Sequence, residues 1–308
     1  MDHAKIVVGV DGSAPSLDAL RWAALEAQRR GVDLEVVLAY HWRVLGMRLA
    51  HNPELADQVR DFAASVVDAA VAEARTTAPH ARVHGVAVEG EPVPVLLEAA
   101  AEAGMVVVGS RGAGGFASLL AGSVSVRLAT QAPCPVTVVR GRTTADTGLV
   151  VVGVDGSPAA DVAAGVAFEE ASRRGCALVA VWAFYVPLPA RTMGPPPIVC
   201  DPVEVAADIR SALVGQVAKW RDKYPDVPVE YAVIQGSAAA ALTDQSRRAQ
   251  LVVVGSRGHG RAAGLLLGSV GLQLIHHADC PVLVARTPTG APVGTSDRAT
   301  TPLDGGEG

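Results

Sequence analysis

The chain has 308 residues, of which 50% are hydrophobic, 19% charged and 4% aromatic, with a formal net charge of −5. That length suits one large or two ordinary domains with real cores, and an acidic balance without a basic run argues against DNA or RNA as partner. No apolar stretch approaches the roughly 18 residues of a membrane span, so neither nucleic acid nor membrane is an expected partner.

In chain order, Lys5–Val10 is apolar and β-branched and reads as a buried strand. Helical spacing over Ser16–Arg30 (Leu17, Leu20, Ala24, Ala27) stops at Gly31. Strand Asp33–Tyr40 follows, then a long helix over Pro53–Ala78 with Leu55, Val59, Phe62, Val66 and Ala69 or Ala70 expected inward. Strand Arg82–Glu89, helix Pro92–Ala103, strand Met105–Gly109, a glycine-rich loop, helix Ser118–Thr130 and strand Val136–Arg140 complete the half. The order then repeats: strand 149–154, helix 158–174, strand 177–184, helix 202–223, strand 228–235, helix 238–248, strand 251–255, loop, helix 265–277 and strand 281–285. Alternating strands and helices call for parallel sheets covered on both faces. The expected fold is α/β, with two tandem doubly wound five-stranded domains over residues 1–142 and 149–287. Residues 288–308 are rich in Pro, Thr, Gly and Asp and read as a disordered tail.

The duplication is explicit in two motifs. Ile6 to Ser13 (IVVGVDGS) recurs as Val150 to Ser157 (VVVGVDGS), at an offset of 144. Gly109-Ser110-Arg111-Gly112, nine residues and Gly122-Ser123 recur as Gly255-Ser256-Arg257-Gly258, nine residues and Gly268-Ser269, at an offset of 146. Each loop leaves a buried strand and opens a helix. Glycine permits close backbone approach, and a helix N-terminus supplies unpaired N–H groups and positive dipole to a phosphate. In an open α/β sheet, a ligand sits where neighbouring crossovers diverge, outside the strand C-termini. If the first and fourth strands are neighbours, Asp11 and Gly109 meet there, as do Asp155 and Gly255.

These residues resemble the universal stress protein family in its tandem form, of the subgroup whose members bind ATP. The resemblance runs over about residues 3–286 and is carried by the two VGVDGS segments, both G-xx-G-x9-G-[ST] loops and the Cys-Pro-Val lead into each last strand (Cys134–Val136, Cys280–Val282). It implies a strand order 3-2-1-4-5, one ATP per domain at strands one and four, and pairing of domains through the last strand. The expected ATP-binding set is Gly9, Asp11, Gly12, Ser13, Ala39, Gly109, Ser110, Arg111, Gly112, Gly122, Ser123 and Val124 in the first half. In the second it is Gly153, Asp155, Gly156, Ser157, Ala183, Gly255, Ser256, Arg257, Gly258, Gly268, Ser269 and Val270.

Each role has a plainer counterpart. The glycines wrap phosphate or merely turn the chain; Ser123 and Ser269 offer a hydroxyl and cap their helices. Arg111 and Arg257 pair with phosphate or face solvent. Asp11 and Asp155 bond ribose, hold a Mg²⁺ that bridges phosphates, or close an Asx-turn. Gly90 and Gly236 approach ribose or turn the chain. His259, where the first loop has Ala113, and the Pro-rich stretch Pro187–Pro202 mark the second half as different. Four cysteines (Cys134, Cys176, Cys200, Cys280) show neither CxxC nor metal spacing, which fits a reducing cytoplasm. With no P-loop and no strong general base near the phosphates, the expected function is an ATP-binding regulator in stress or growth adaptation. A slow ATPase or phosphotransferase and a scaffold with vestigial pockets are the alternatives. The last strands are expected as sheet edges, inviting pairing within the chain, association of two chains as a homodimer, or a regulatory protein partner.

Overall fold

The computed structural model describes residues 5–41, 53–112, 122–143, 148–185, 201–258 and 267–286. The first half runs β1 (Ile6–Gly9), α1 (Ala14–Arg30), β2 (Leu34–Tyr40), α2 (Pro53–Thr77), β3 (Val83–Glu89), α3 (Pro92–Ala100), β4 (Met105–Gly109), α4 (Ser123–Gln131) and β5 (Val136–Val139). The second runs β6 (Leu149–Gly153), α5 (Pro158–Arg174), β7 (Leu178–Phe184), α6 (Pro202–Lys223), β8 (Val229–Gln235), α7 (Ala238–Ser246), β9 (Ala249–Gly255), α8 (Ser269–His277) and β10 (Val282–Ala285). The linker residues 144–147, Ala113, His259, the stretch 186–200 and the tail from 287 lie outside the described residues.

Local signals set the helix ends. Ser13 caps α1 and Ser157 caps α5, each with proline in the first turn. Both helices end at a glycine in the left-handed region, Gly31 at φ 67° and Gly175 at φ 60°, after a pair of arginines that suits the negative end of the helix dipole.

Within each half the strand order is 3-2-1-4-5, all parallel, and the two last strands pair antiparallel to give one ten-stranded sheet: β3-β2-β1-β4-β5-β10-β9-β6-β7-β8. Val136 lies opposite Val284 and Val138 opposite Val282. The last strands are therefore central rather than edges; β3 and β8 form the borders. The expected pairing through the last strands is made within the chain, and β5 and β10 each have a strand on both sides.

Parallel strands buried on both faces read as runs of valine, and their side chains alternate between two cores. Ile6 and Val8 belong to the core beneath α1, α2, α5 and α6, whereas Val7 belongs to the one beneath α3, α4, α7 and α8. Each core includes residues of both halves, so the halves share their interior. The long helix α2 turns a different face inward from the one its larger residues suggest. Ala63, Val67, Ala70 and Ala74 are buried, while Phe62 is 70% exposed. Ala70 is among the residues expected inward, and Val66 packs partly buried against the core; small residues let α2 approach the sheet and α1 closely, and that rotation turns Phe62 outward.

A charged seam crosses between the halves. Glu26 of α1 and Glu170 of α5 are both 1% exposed, and Arg174 bonds both carboxylates, at 2.6 Å and 2.8 Å. Arg30 bonds Glu26 at 2.6 Å and also reaches Glu170. Burial opposes ionisation of Glu26, yet Arg174 and Arg30 hold it below the usual carboxylate range; burial, with Glu26 beside it, pushes Glu170 up. Among the described residues no helix is long and apolar enough to cross a membrane.

Candidate functional site

After β1 the chain enters α1 on one face of the sheet, and after β4 it enters α4 on the other. Since β1 and β4 are neighbours, a crevice opens beyond their ends. The same happens between β6 and β9.

At the end of β1, Gly12 takes φ 79° and Gly156 takes φ 85° at the equivalent point, a left-handed turn. Ser13 N–H donates to Asp11 Oδ1 at 3.0 Å, and Ser157 N–H to Asp155 Oδ1 at 3.0 Å, so both aspartates close an Asx-turn. The other oxygen, Oδ2, faces the glycine loop. A Cβ on Gly112 would sit 2.5 Å from Asp11 Oδ2, and one on Gly258 at 2.5 Å from Asp155 Oδ2. Gly112 and Gly258 are thus required by a carboxylate laid across the loop. Gly109 and Gly255 are glycine for a different reason: a Cβ there would strike Pro15 O at 2.6 Å or the Ala159 carbonyl at 2.8 Å, where the first helix turn crosses the strand.

The loop closes through Gly122 N–H to Ser110 O (2.7 Å) and Gly268 N–H to Ser256 O (3.0 Å). Helices α4 and α8 then begin with glycine at the cap, without a side-chain cap hydrogen bond. Ser123 and Ser269 are the first helical residues and do not cap. By contrast α1, α5, α6 and α7 are each capped by the side chain of Ser13, Ser157, Asp201 or Ser237. Helix α3 also starts without a side-chain cap, at Glu91, but α4 and α8 are the helices that begin at the glycine loop, with first-turn residues lining the crevice, where an anion is favoured.

Two matching cavities result, of about 510 Å³ in the first half and 500 Å³ in the second, within the range of small-molecule sites. The first brings together Gly9, Asp11, Ala39, Gly109, Arg111, Gly112, Gly122, Ser123 and Val124. The second brings together Gly153, Asp155, Ala183, Gly255, Arg257, Gly258, Gly268, Ser269 and Val270. Gly12, Ser13 and Ser110, with Gly156, Ser157 and Ser256, do not line the cavities; they belong to the turns beside them. Gly90, Gly236, Tyr40 and Phe184 do not line either cavity.

The sequence reading missed the inner wall. Val37 and Leu96 line the first cavity, as Val181 and Leu242 line the second. Leucine there packs against the strand glycine, since a Cβ on Gly9 or Gly153 would lie 2.9 Å from a Leu96 or Leu242 methyl. The apolar run of α3 carried that signal. Each cleft therefore has an apolar pocket at one end and backbone N–H groups, an arginine and a carboxylate at the other.

Arg140 donates to Ile275 O at 2.9 Å and Arg286 to Thr130 O at 2.7 Å, each holding the C-terminus of the other half's site helix. Burial lowers both arginines, with Arg111 near Arg140 and Arg257 near Arg286 adding to the effect. Burial pushes the Cys134 thiol up to about 11 and that of Cys280 up to about 12, which leaves both as core residues rather than nucleophiles. Among the described residues no group of three His, Cys, Asp or Glu could hold a metal ion.

The model of the universal stress protein family matches residues 3–140 and again 148–286. The chain belongs to the universal stress protein family. As a tandem universal stress protein it is 39% identical over 294 residues to universal stress protein Rv2005c of Mycobacterium tuberculosis (strain ATCC 25618 / H37Rv), across 91% of this chain and 96% of that relative. It is 36% identical over 307 residues to universal stress protein Rv1996 of the same strain, across 92% and 95%. In fold it is similar to a universal stress protein from Archaeoglobus fulgidus DSM 4304, with a TM-score of 0.70 over 93% of this chain and 99% of that one, at 20% identity.

Proposed function

We propose that this universal stress protein binds one ATP in each half and serves as a nucleotide-dependent regulator in stress or growth adaptation. The observation that carries the reading is the uncapped start of α4 and α8, set against a glycine loop inside a cavity with an apolar far end. First-turn N–H groups, Arg111 or Arg257, and the hydroxyl of Ser123 or Ser269 take the phosphates. The pocket of Val37, Ala39 and Leu96, or Val181, Ala183 and Leu242, takes the adenine.

The residues also fit a Mg²⁺ carried in with the nucleotide. Such an ion needs one or two carboxylates plus phosphate oxygens, and Asp11 or Asp155 lays one carboxylate across each loop. Supplied that way, the ion would neutralise phosphate charge. Bound nucleotide stabilises the folded state by mass action, and occupancy would thereby set the state that a partner reads.

The test is calorimetric titration of the full chain with Mg-ATP, together with analysis of nucleotide released on denaturation. Two sites are expected in the wild type. Gly112→Glu with Gly258→Glu fills the loop on the Asp Oδ2 side and is expected to abolish binding while circular dichroism stays unchanged. Undiminished ATP affinity in that folded double variant would overturn the site.

A further inference from the structure

The turn after the first strand is held shut by different residues in the two halves. In the first, Ser16 Oγ donates to the Ser13 carbonyl at 2.9 Å and accepts from Asp11 N–H at 3.3 Å. That brace comes from α1 itself. The counterpart of Ser16, at the offset of 144, is Ala160, which lines the second cavity and has no hydroxyl to give. There the Ser157 carbonyl accepts from Gln216 Nε2 at 3.2 Å, and Gln216 Oε1 accepts from Gly156 N–H at 2.9 Å. Gln216 belongs to α6. Its counterpart at the offset of 146 is Ala70, buried in the core and unable to reach any polar group.

The exchange is paired. Ser16 goes with Ala70, Ala160 with Gln216, and the same turn carbonyl is satisfied in both halves. That carbonyl also accepts the first helix bond, from Leu17 N–H at 3.0 Å in one half and Asp161 N–H at 3.1 Å in the other, so the brace supplies a second bond that ties the turn to its surroundings.

We propose that Gln216 is the positioning residue of the second cleft: it fixes the Asp155–Ser157 turn from α6, whereas the first cleft is fixed by Ser16 from within α1. The proposal rests on the nucleotide reading above. With Gln216 in place, Asp155 Oδ1 is held by Ser157 N–H and Oδ2 lies across the Gly258 loop before any ligand arrives. Without it, the turn keeps only its local bonds, and binding must order it. Movements of α6 then change affinity at the second cleft alone.

The experiment uses the full chain with one cleft blocked at a time: Gly112→Glu leaves the second to be read, Gly258→Glu the first. Gln216→Ala is expected to weaken Mg-ATP binding about ten-fold in the Gly112→Glu background, in line with losing one or two hydrogen bonds. In the Gly258→Glu background affinity stays within about two-fold, which also reports that Gln216→Ala folds. Adding Ala160→Ser restores the second cleft by supplying the missing hydroxyl. Hydrogen exchange across 155–157 follows the same pattern, rising with Gln216→Ala and falling again with Ala160→Ser. An equal loss in both clefts, no loss in the second, or no recovery with Ala160→Ser overturns the brace. A wild-type chain that binds no ATP sinks the nucleotide reading itself, and the proposal with it.

Discussion

Between the first helix and the sheet, the two halves reach one backbone arrangement with opposite side chains. Leu20 and Ala24 occupy successive turns of α1, where α5 has Ala164 and Phe168; all four are buried. The second helices follow suit. Ala74 and Ala78 stand where α6 and its end supply Trp220 and Tyr224, and Phe168 stacks on Tyr224 with ring centroids 6.3 Å apart. Trp220 lies over Gly165, where any Cβ would sit 2.6 Å from the ring. On the first helix, large and small residues trade places by one turn, and on the second the aromatics Trp220 and Tyr224 fill space that small residues leave at Gly165 and Ala164. The glycines at Gly109, Gly112, Gly122 and their counterparts Gly255, Gly258 and Gly268 do not vary, because the close backbone approach there leaves no alternative.

Five substitutions test how far that equivalence extends. Arg174 and Arg30 hold matching positions, but Arg174 is 3% exposed and bonds both buried glutamates, while Arg30 is 18% exposed. Arg174→Ala is expected to lower stability by about 3–5 kcal/mol, since it strands buried charge; Arg30→Ala costs less, and urea unfolding of both measures the gap. Phe168→Ala follows at about 3 kcal/mol or more from the cavity left. Its mirror, Ala24→Phe, costs about 1–3 kcal/mol through overpacking, so the same denaturation series separates the two cores. Phe62→Ser is the smallest change, within about 0.5 kcal/mol because the ring is exposed. A larger loss would mean that α2 buries its Phe62 face.

Much of the fold and the clefts was legible in the residues. Valine runs bounded by glycine read as parallel strands, and Ser157-Pro158 with Gly175 marked the ends of α5 without reference to anything distant. Gly112 and Gly258 were recognisable from the repeated glycine spacing, while the reason the structure gives them is the carboxylate of Asp11 or Asp155, which leaves no room for a side chain. Other features were not. Val59 and Phe62 made as regular a row on α2 as Ala63, Val67 and Ala74, and choosing between them depends on how near α1 and the sheet lie. Ser123 was expected to cap its helix, yet the turn through Ser110 O places Gly122 at that position. The seam of Glu26, Arg30, Glu170 and Arg174 could not be foreseen, since it exists only once β5 and β10 pair antiparallel.

From the order of residues alone came the duplication, the two wound sheets, the membership of a family and most of the lining of both clefts. These rest on short-range rules of backbone conformation and periodic burial. The joining of ten strands into one sheet, the inward face of α2, the shared charged seam and the reach of Gln216 from α6 to Gly156 came from the assembled molecule. Each is a contact between segments distant along the chain, and its geometry is set by packing rather than by any local preference.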